Sequence, residues 1–549
     1  MLFAARSAGA LHRLFDVLPV FAGDSRIRRR FTLVPGSEFG RDAREAVERF
    51  GGLCVPWEVA LAETHDLVVA ASPKGGLGQL RGPKVLLPHG AGFSKALPWE
   101  GTAGQASGFD PAFLVGEDGE PVAALHALAH PDQAARLTRA VPAVAGRVAV
   151  VGDPTLERML ASAGQRSRYR AALATGGRRL VVLTSTWGPE SLLGRHPGLP
   201  GRLARALPCD AYQLALIAHP NTHSRLGARE FTERLAPALD AGMVQARTYE
   251  EWGALLVAAD AVLTDHGSTA LYAAALGTPL VAACDGGNEL IPGSPMAEVL
   301  YRIPMLGDPG NPGDTSDLGK ILDAYASSGV DVRRLASPAF AGQGRVLERL
   351  RHELYGLLGL VPPGGAGAVD ARPLPAPVST GRDIAAFAVR IEQHGGVVHI
   401  ERTHAGGRDG VHHLAAEVDR ATTRQSQSAG LLFRRAATAP EDRYGEEWTV
   451  RGWIDRTLEE YGARRTAAVV LGPGHCAVRR HGGPLWEVRV APCREDGRVF
   501  RTDPAAVLSA VHALLGSGST HRRIRCVVAG RSYEADLSPA GDDMADRVC

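Results

Sequence analysis

At Asp265-His266-Gly267-Ser268-Thr269 the sequence sets a carboxylate, an imidazole, a glycine and two hydroxyls in five consecutive positions. Three shorter groups share that character: His89-Gly90, His219-Pro220-Asn221 and Thr184-Ser185-Thr186-Trp187. Imidazoles move protons near neutral pH. Hydroxyls beside a glycine, where backbone can approach a ligand closely, suit phosphate oxygens. Taken singly, each group also fits an ordinary capped corner between a strand and a helix. Together they suit a cradle for an anionic ligand.

Each group follows a run of apolar residues. Lys84–Pro88 precedes His89, Arg178–Leu183 precedes Thr184, Gln213–Ala218 precedes His219, and Asp260–Thr264 precedes Asp265. From about residue 30 to 360 such runs alternate with helical patterns. Further strands are expected in Arg30–Gly36, Leu53–Trp57, Asp66–Ser72, Arg147–Pro154, Gly242–Ala246 and Thr278–Cys284, and the block Pro121–Val141 reads as helical. Continuous rather than alternating apolar strands, separated by helices, indicate parallel sheets covered on both faces. The region is long for one sheet, so the reading is α/β, with two Rossmann-like doubly wound domains meeting near residue 150. Ligands of such sheets bind beyond the carboxyl ends of the strands, where all four groups stand. Ser268 is a natural N-cap for the helix that follows, and the dipole of that helix favours an anion. Ala270, Ala273, Ala274 and Ala275 let it lie close to the sheet, and Gly277 ends it.

The chain has 549 residues and a formal net charge of +2, so two to four domains are expected and no overall field draws it to nucleic acid or membrane. Only four lysines occur: Lys74, Lys84, Lys95 and Lys320. Seven scattered cysteines form no Cys-x-x-Cys pair, which suits a reducing cytoplasm with free thiols. The basic cluster Arg28–Arg30 follows the first apolar stretch, the wrong order for a signal peptide. No run of about 18 apolar residues predicts a spanning helix.

Residues 1–150 are read as an N-terminal Rossmann-like domain and 151–361 as a C-terminal one, which the resemblance described below makes the acceptor side and the nucleotide-donor side. A Pro/Gly/Ala-rich linker spans 362–380, and 381–549 form a separate α+β module. In the module, Phe387–Arg402, Ala477–Val490 and Arg523–Leu537 read as hairpins about glycine turns, and Val450–Tyr461 as an amphipathic helix. Its function is not legible.

Several signals fail. Gly313–Leu322 has P-loop-like glycines, but the spacing is one residue too long and Ile321 follows Gly319-Lys320 where a hydroxyl should stand. Gly75–Gly82 lacks the third glycine of a dinucleotide fingerprint and reads as a flexible loop. His394, His399, His404, His412 and His413 fit no metal-ligand spacing, with His394 and His399 expected on opposite strand faces. The pairs Arg434-Arg435, Arg464-Arg465, Arg479-Arg480 and Arg522-Arg523 read as a solvated face.

The stretch Tyr249–Val281 resembles the donor-site segment of nucleotide-dependent transferases of the GT-B fold, most of all the CDP-glycerol glycerophosphotransferases, the teichoic acid polymerase-type enzymes. His89-Gly90, His219-Pro220 and Gly152-Asp153-Pro154 match further positions of that family. The sequence departs from it at Pro88, where the family has tryptophan, and at His266-Gly267, where it has tyrosine and serine. These departures leave the donor open.

The resemblance implies a GT-B arrangement and transfer of a glycerophosphate-like or sugar group from a CDP- or UDP-linked donor to a hydroxyl acceptor, as in cell-envelope polymer synthesis. His89 would be the base. His219 would stabilise the leaving group, and Asp265 would orient His266 or a ribose hydroxyl. Thr184, Ser185, His266, Gly267, Ser268 and Thr269 would contact the donor. No metal or other cofactor is implied. The expected partners are the donor and an acceptor that is free or membrane-associated. The expected location is the cytoplasm, with peripheral contact to the inner membrane face left open. A GT-B epimerase or hydrolase of sugar nucleotides, and a non-catalytic nucleotide- or partner-binding protein, are the alternatives. The helix Ala270–Gly277 lacks the carboxylates that such epimerases carry.

Overall fold

The computed structural model describes all residues except 37–39, 98–105, 107, 247–249, 308–317, 327–328, 365–368, 377–383, 407–409, 437–446, 463–464 and 519–520. Tyr249, Arg464, the first half of the Gly313–Leu322 motif and parts of the linker therefore lie outside the described residues.

The first sheet holds β1 (Leu2–Ala5), β2 (Arg30–Leu33), β3 (Val68–Ala70), β4 (Lys84–Leu86), β5 (Leu125–Leu128) and β6 (Val148–Val150), in the order β2-β1-β3-β4-β5-β6. All pairs are parallel. Apolar clusters cover both faces. Two expectations are corrected. The sheet starts at residue 2, because the short run Leu2–Ala5 pairs with both β2 and β3. The block Pro121–Val141 is strand β5 followed by a helix over Pro131–Ala140, with Pro131 at its first turn. Leu53–Trp57 supplies only a single bridge, Cys54 to Phe31.

The second sheet holds β7 (Arg179–Ser185), β8 (Tyr212–Ala218), β9 (Val244–Gln245), β10 (Ala261–Thr264) and β11 (Leu280–Ala282), in the order β11-β10-β7-β8-β9. It too is parallel and covered on both faces. Five helices position the site and join the halves: α1 (Ala8–Phe15), α2 (Pro154–Ala161), α3 (Pro220–Leu226), α4 (Thr269–Leu276) and α5 (Val346–Leu358). The last of these crosses back, and its Val346, Leu350, Leu354 and Tyr355 complete the core of the first half. Two Rossmann-like units thus face one another in the GT-B arrangement.

The segment after α5 is strapped down. Arg372, 4% exposed, pairs with Asp16 at 2.9 Å, and its carbonyl accepts from Tyr169. Ala376 N donates to Glu251 at 2.9 Å.

The C-terminal module is a closed barrel. Its strands are β12 (Ala386–His394), β13 (Val397–His404), β14 (His413–Glu417), β15 (Leu431–Arg435), β16 (Thr466–Gly472), β17 (His475–Arg480) and β18 (Leu485–Val490), with β21 (Arg523–Val528) and β22 (Arg531–Pro539). They run β12-β13-β21-β22-β18-β17-β16-β15-β14, and β12 pairs with β14 to close the ring. A hairpin of β19 (Cys493–Glu495) and β20 (Arg498–Phe500) stands apart. The three expected hairpins are present, as is the helix α6 (Val450–Tyr461).

The helix α7 (Pro504–Gly516) is apolar on nearly every side, and its first two turns, Pro504–Val511, pack inside the ring. Asp503 caps it through the Ala505 N–H. Arg402, fully buried, joins Asp503 (2.9 Å) to Asp210 of the second half in a bidentate pair (2.7 and 2.8 Å). Arg435, expected on a solvated face, also pairs with Asp503 at 2.9 Å. The rings of His394 and His399 lie 6.0 Å apart and so share a face, contrary to expectation. His399 sits opposite Glu392, two residues from His394. No helix among the described residues is long and apolar enough to cross a membrane.

Candidate functional site

In the second sheet the strand order reverses between β7 and β10, and the crevice beyond the carboxyl ends of strands at such a switch point is the usual ligand position. Asp265, the first residue after β10, is fully buried there. One of its oxygens accepts from Thr186 N and Leu192 N, both at 2.8 Å; the other accepts from Gly267 N at 2.9 Å. The carboxylate thus stitches the β10 corner to the loop after β7. This corrects the role expected for Asp265, whose oxygens are engaged by backbone rather than by His266. A β-carbon on Gly267 would lie 3.0 Å from Asp265 Oδ1, so the stitch needs glycine at that point.

His266 turns into the protein. Its side chain has no exposure, and Nε2 lies 3.1 Å from Glu289 Oε2. The same oxygen lies 2.9 Å from Lys95 Nζ, which reaches over from the first half. Burial works to raise the Glu289 carboxyl, but His266 and Lys95 hold it below the usual range. Burial also lowers Lys95. The ion pair governs, because neutralising either group would leave its partner buried without a counter-charge. The Nε2 side of the His266 ring is therefore engaged inside the protein, while its buried Nδ1 has no partner among the described residues.

Thr184 and Ser185 are likewise corrected as phosphate contacts. Register places Thr184 beside Thr264, and their hydroxyls bond at 2.7 Å inside the sheet. Ser185 Oγ donates to Thr186 O and accepts from Leu193 N, each at 3.1 Å.

The start of α4 is different. Ser268 occupies the N-cap position with helical φ and ψ, and its hydroxyl makes no capping bond, so the expected cap is absent. Among the described residues, neither the Ser268 and Thr269 N–H groups nor their hydroxyls have a protein partner. Uncapped N–H groups at the positive end of a helix dipole form an anion site. Gly277 closes α4 in the left-handed conformation, as expected (φ 83°).

Of the two remaining histidines, His89 adjoins this point through Gly90, and His219 lies close enough to His89 to feel its charge. His219 caps α3, its Nδ1 accepting from Asn221 N at 3.1 Å. That bond puts the proton of the neutral ring on Nε2 and makes it a donor. Burial, then the charges of Lys95, His89 and His223, lower His219 to about 3. His89 follows β4. The residue is exposed, and its ring makes no hydrogen bond to the described residues. The protein around the ring, then the charges of Lys74 and Arg13, lower it to about 4. Its neighbour Gly90 rests on the start of α4, where a β-carbon would lie 3.0 Å from Ser268 Oγ. Arg13 of α1 fixes the approach: it donates to the His89 carbonyl (3.4 Å), to the Tyr272 hydroxyl of α4, and to Asp153 (3.3 Å).

Trp187 lines the same crevice, with Lys95 4.8 Å and Arg225 5.1 Å from its ring, and His219 6.3 Å away. Sequence reasoning missed Lys95, Glu289, Arg13 and Tyr272. One signal was present: in a chain whose cations are overwhelmingly arginine, two of the four lysines, Lys74 and Lys95, stand close enough to shift these histidines. A cavity of about 880 Å³ lies elsewhere, between the amino edge of the second sheet and the barrel, and no expected site residue lines it. The crevice has the stronger chemical claim, because its histidines, cations and uncapped helix converge. Among the described residues no group of three His, Cys, Asp or Glu is placed to hold a metal.

No family model and no curated protein matches the chain. Solved structures do. The wall teichoic acid polymerase TagF is similar at 13% identity, over 65% of this chain and 89% of that one, with a TM-score of 0.45. A UDP-GlcNAc 2-epimerase from Neisseria meningitidis, bound to UDP-GlcNAc, is similar at 12% identity over 65% and 99%, with a TM-score of 0.45. The S. aureus MnaA-UDP co-structure is similar at 12% identity over 67% and 99%, with a TM-score of 0.43.

Proposed function

We propose that the crevice transfers a glycerophosphate-like or sugar group from a nucleotide-activated donor to a hydroxyl acceptor, as cell-envelope polymer synthesis requires. The observation that carries this reading is the meeting of His89-Gly90 with the uncapped start of α4.

The donor's phosphates would lie on the Ser268 and Thr269 N–H groups and hydroxyls. The acceptor oxygen would attack the phosphorus or anomeric carbon of the transferred group. As that bond forms, the bond to the nucleotide's phosphate oxygen breaks. The acceptor's proton passes to His89, which its low pKa keeps neutral and able to accept. Charge gathering on the departing phosphate meets the helix dipole and the Nε2–H of His219. Lys95 adds positive charge at the crevice wall. The donor would be CDP- or UDP-linked, with Trp187 offering a face for stacking.

Thermal-shift titration with CDP-glycerol, CDP-ribitol, UDP-sugars and GDP-sugars tests the reading, and a flat response to all of them would sink it. With a binding donor in hand, His89→Ala should abolish turnover and spare donor affinity. Ser268→Ala should weaken donor binding by about 0.5–1.5 kcal/mol, the worth of one hydrogen bond.

A further inference from the structure

Arg372 belongs to neither half. It sits in the strap between α5 and the barrel, yet its side chain is buried where the two halves meet. The strap is fastened around it. Arg372 N donates to Ser162 Oγ at 2.8 Å, and Arg158 Nε donates to the Asp370 carbonyl at 3.1 Å. A β-carbon on Gly253 would lie 3.1 Å from Arg372 Nε, so the side chain is seated directly against the helix Glu251–Ala258.

Two routes lead from Arg372 into the crevice. On the first, its guanidinium pairs at 2.9 Å with Asp16, the residue at the end of α1. Asp16 also accepts from Thr155 Oγ1 at 2.6 Å and from Arg158 at 3.0 Å, so three side chains pin that helix end. Arg13 stands three residues back, on the same side of α1, and donates to the His89 carbonyl. On the second route, Arg372 lies 5.9 Å from the centre of the Trp252 ring. That ring meets Tyr272 of α4 edge-on at 5.5 Å, and the Tyr272 hydroxyl accepts from Arg13. Both routes end on Arg13.

We propose that Arg372 is a positioning residue for the crevice: it braces α1 and α4 so that Arg13 fixes the loop of His89. What His89 does rests on the transfer reading above; where its loop is held does not. The brace comes from the connection to the barrel rather than from either half, so the C-terminal module is anchored to the support of the crevice.

The charges that lower His89 are those of Lys74 and Arg13, and that of Arg372 is not among them. A change at Arg372 therefore reaches His89 only by moving what lies between. The test is a titration of the imidazoles in the full chain by heteronuclear NMR on histidine-labelled protein, with His89→Gln and His126→Gln to assign two signals. Arg372→Met keeps the stem and removes the charge. As Arg13 withdraws, the His89 midpoint should rise from about 4 by at least about half a pH unit. His126, in the same half and lowered by burial alone, should stay at about 4, which separates displacement of Arg13 from general loosening.

Removing one member of a buried ion pair is strongly destabilising. A double variant, Arg372→Met with Asp16→Asn, leaves no carboxylate unmatched and should shift His89 equally. Arg372→Lys, which keeps a cation for Asp16, should return His89 toward the wild-type midpoint. Where a donor turns over, Arg372→Met should lower kcat at least about ten-fold and leave the donor KM unchanged. A His89 midpoint that does not move in the methionine variants, a His126 midpoint that rises with it, or an unchanged kcat would each overturn the proposal. Failure to bind any nucleotide would overturn the transfer reading, whereas the titration decides the placement by itself.

Discussion

Ser268 Oγ stands 3.0 Å from the point a β-carbon of Gly90 would occupy, so a residue of the first half and one of the second meet without room for a methyl group. Gly90→Ala must turn the Ser268 hydroxyl aside or part the two loops. The expected result is weaker donor binding with an unchanged urea midpoint. Wild-type donor affinity in Gly90→Ala would show that this contact does not shape the site.

Asp265 is a structural anion held by three backbone N–H groups. Asp265→Asn replaces one accepting oxygen by an amine that faces donors. The expected loss is about 3 kcal/mol of unfolding free energy, the range for hydrogen bonds to a charged group. A urea titration reads it. A variant of normal stability that lacks only turnover would restore the direct role expected from sequence.

The pH dependence of turnover should be unusual. His89 is lowered to about 4, so it stays neutral throughout the range in which an ordinary histidine titrates. The rate constant kcat/KM should be level from about pH 8 to pH 5.5 and fall only as pH approaches 4. An acid limb centred near pH 6.5, the ordinary value, would show that His89 is not the base.

Stability should respond to acid early. Burial lowers His12 to about 3 and His126 to about 4. The unfolded chain takes up these protons near pH 6.5 and the native chain does not, so the unfolded state binds more protons in between. Stability is fully present above pH 6.5 and declines as pH falls toward 4, by up to about 1.4 kcal/mol per pH unit for each such proton. Equal urea midpoints at pH 7 and pH 5 would contradict this.

The parallel sheets were legible because their strands are unbroken apolar runs ending in polar corners. Leu2–Ala5 escaped notice because four apolar residues at a chain start carry no punctuation, although they form an inner strand of the first sheet. The positions of His89, His219 and Ser268 could be read as strand-end residues. The engagement of Thr184 and Asp265 could not, because whether a strand-end side chain faces ligand or sheet depends on cross-strand register. Lys95 and Glu289 meet only through tertiary structure. The barrel hid for the same reason. Its hairpins are local, but closure depends on pairs remote in sequence, such as β13 with β21.

The chain passes between the halves twice, at Gly152–Pro154 and again at the start of α5. Glu157 of α2 accepts from Gly344 N at 2.9 Å and from Val346 N at 3.0 Å. Gly152 lies so close that a β-carbon would stand 2.5 Å from Val346 Cγ2. The halves are thus tied at Glu157 on one side, and on the other by the Lys95–Glu289 ion pair, the Lys95–Leu290 bridge and the Met296 N–H on Ser94 Oγ. Parting them breaks contacts at two separate places, one beside the chain's crossings and one at the crevice wall.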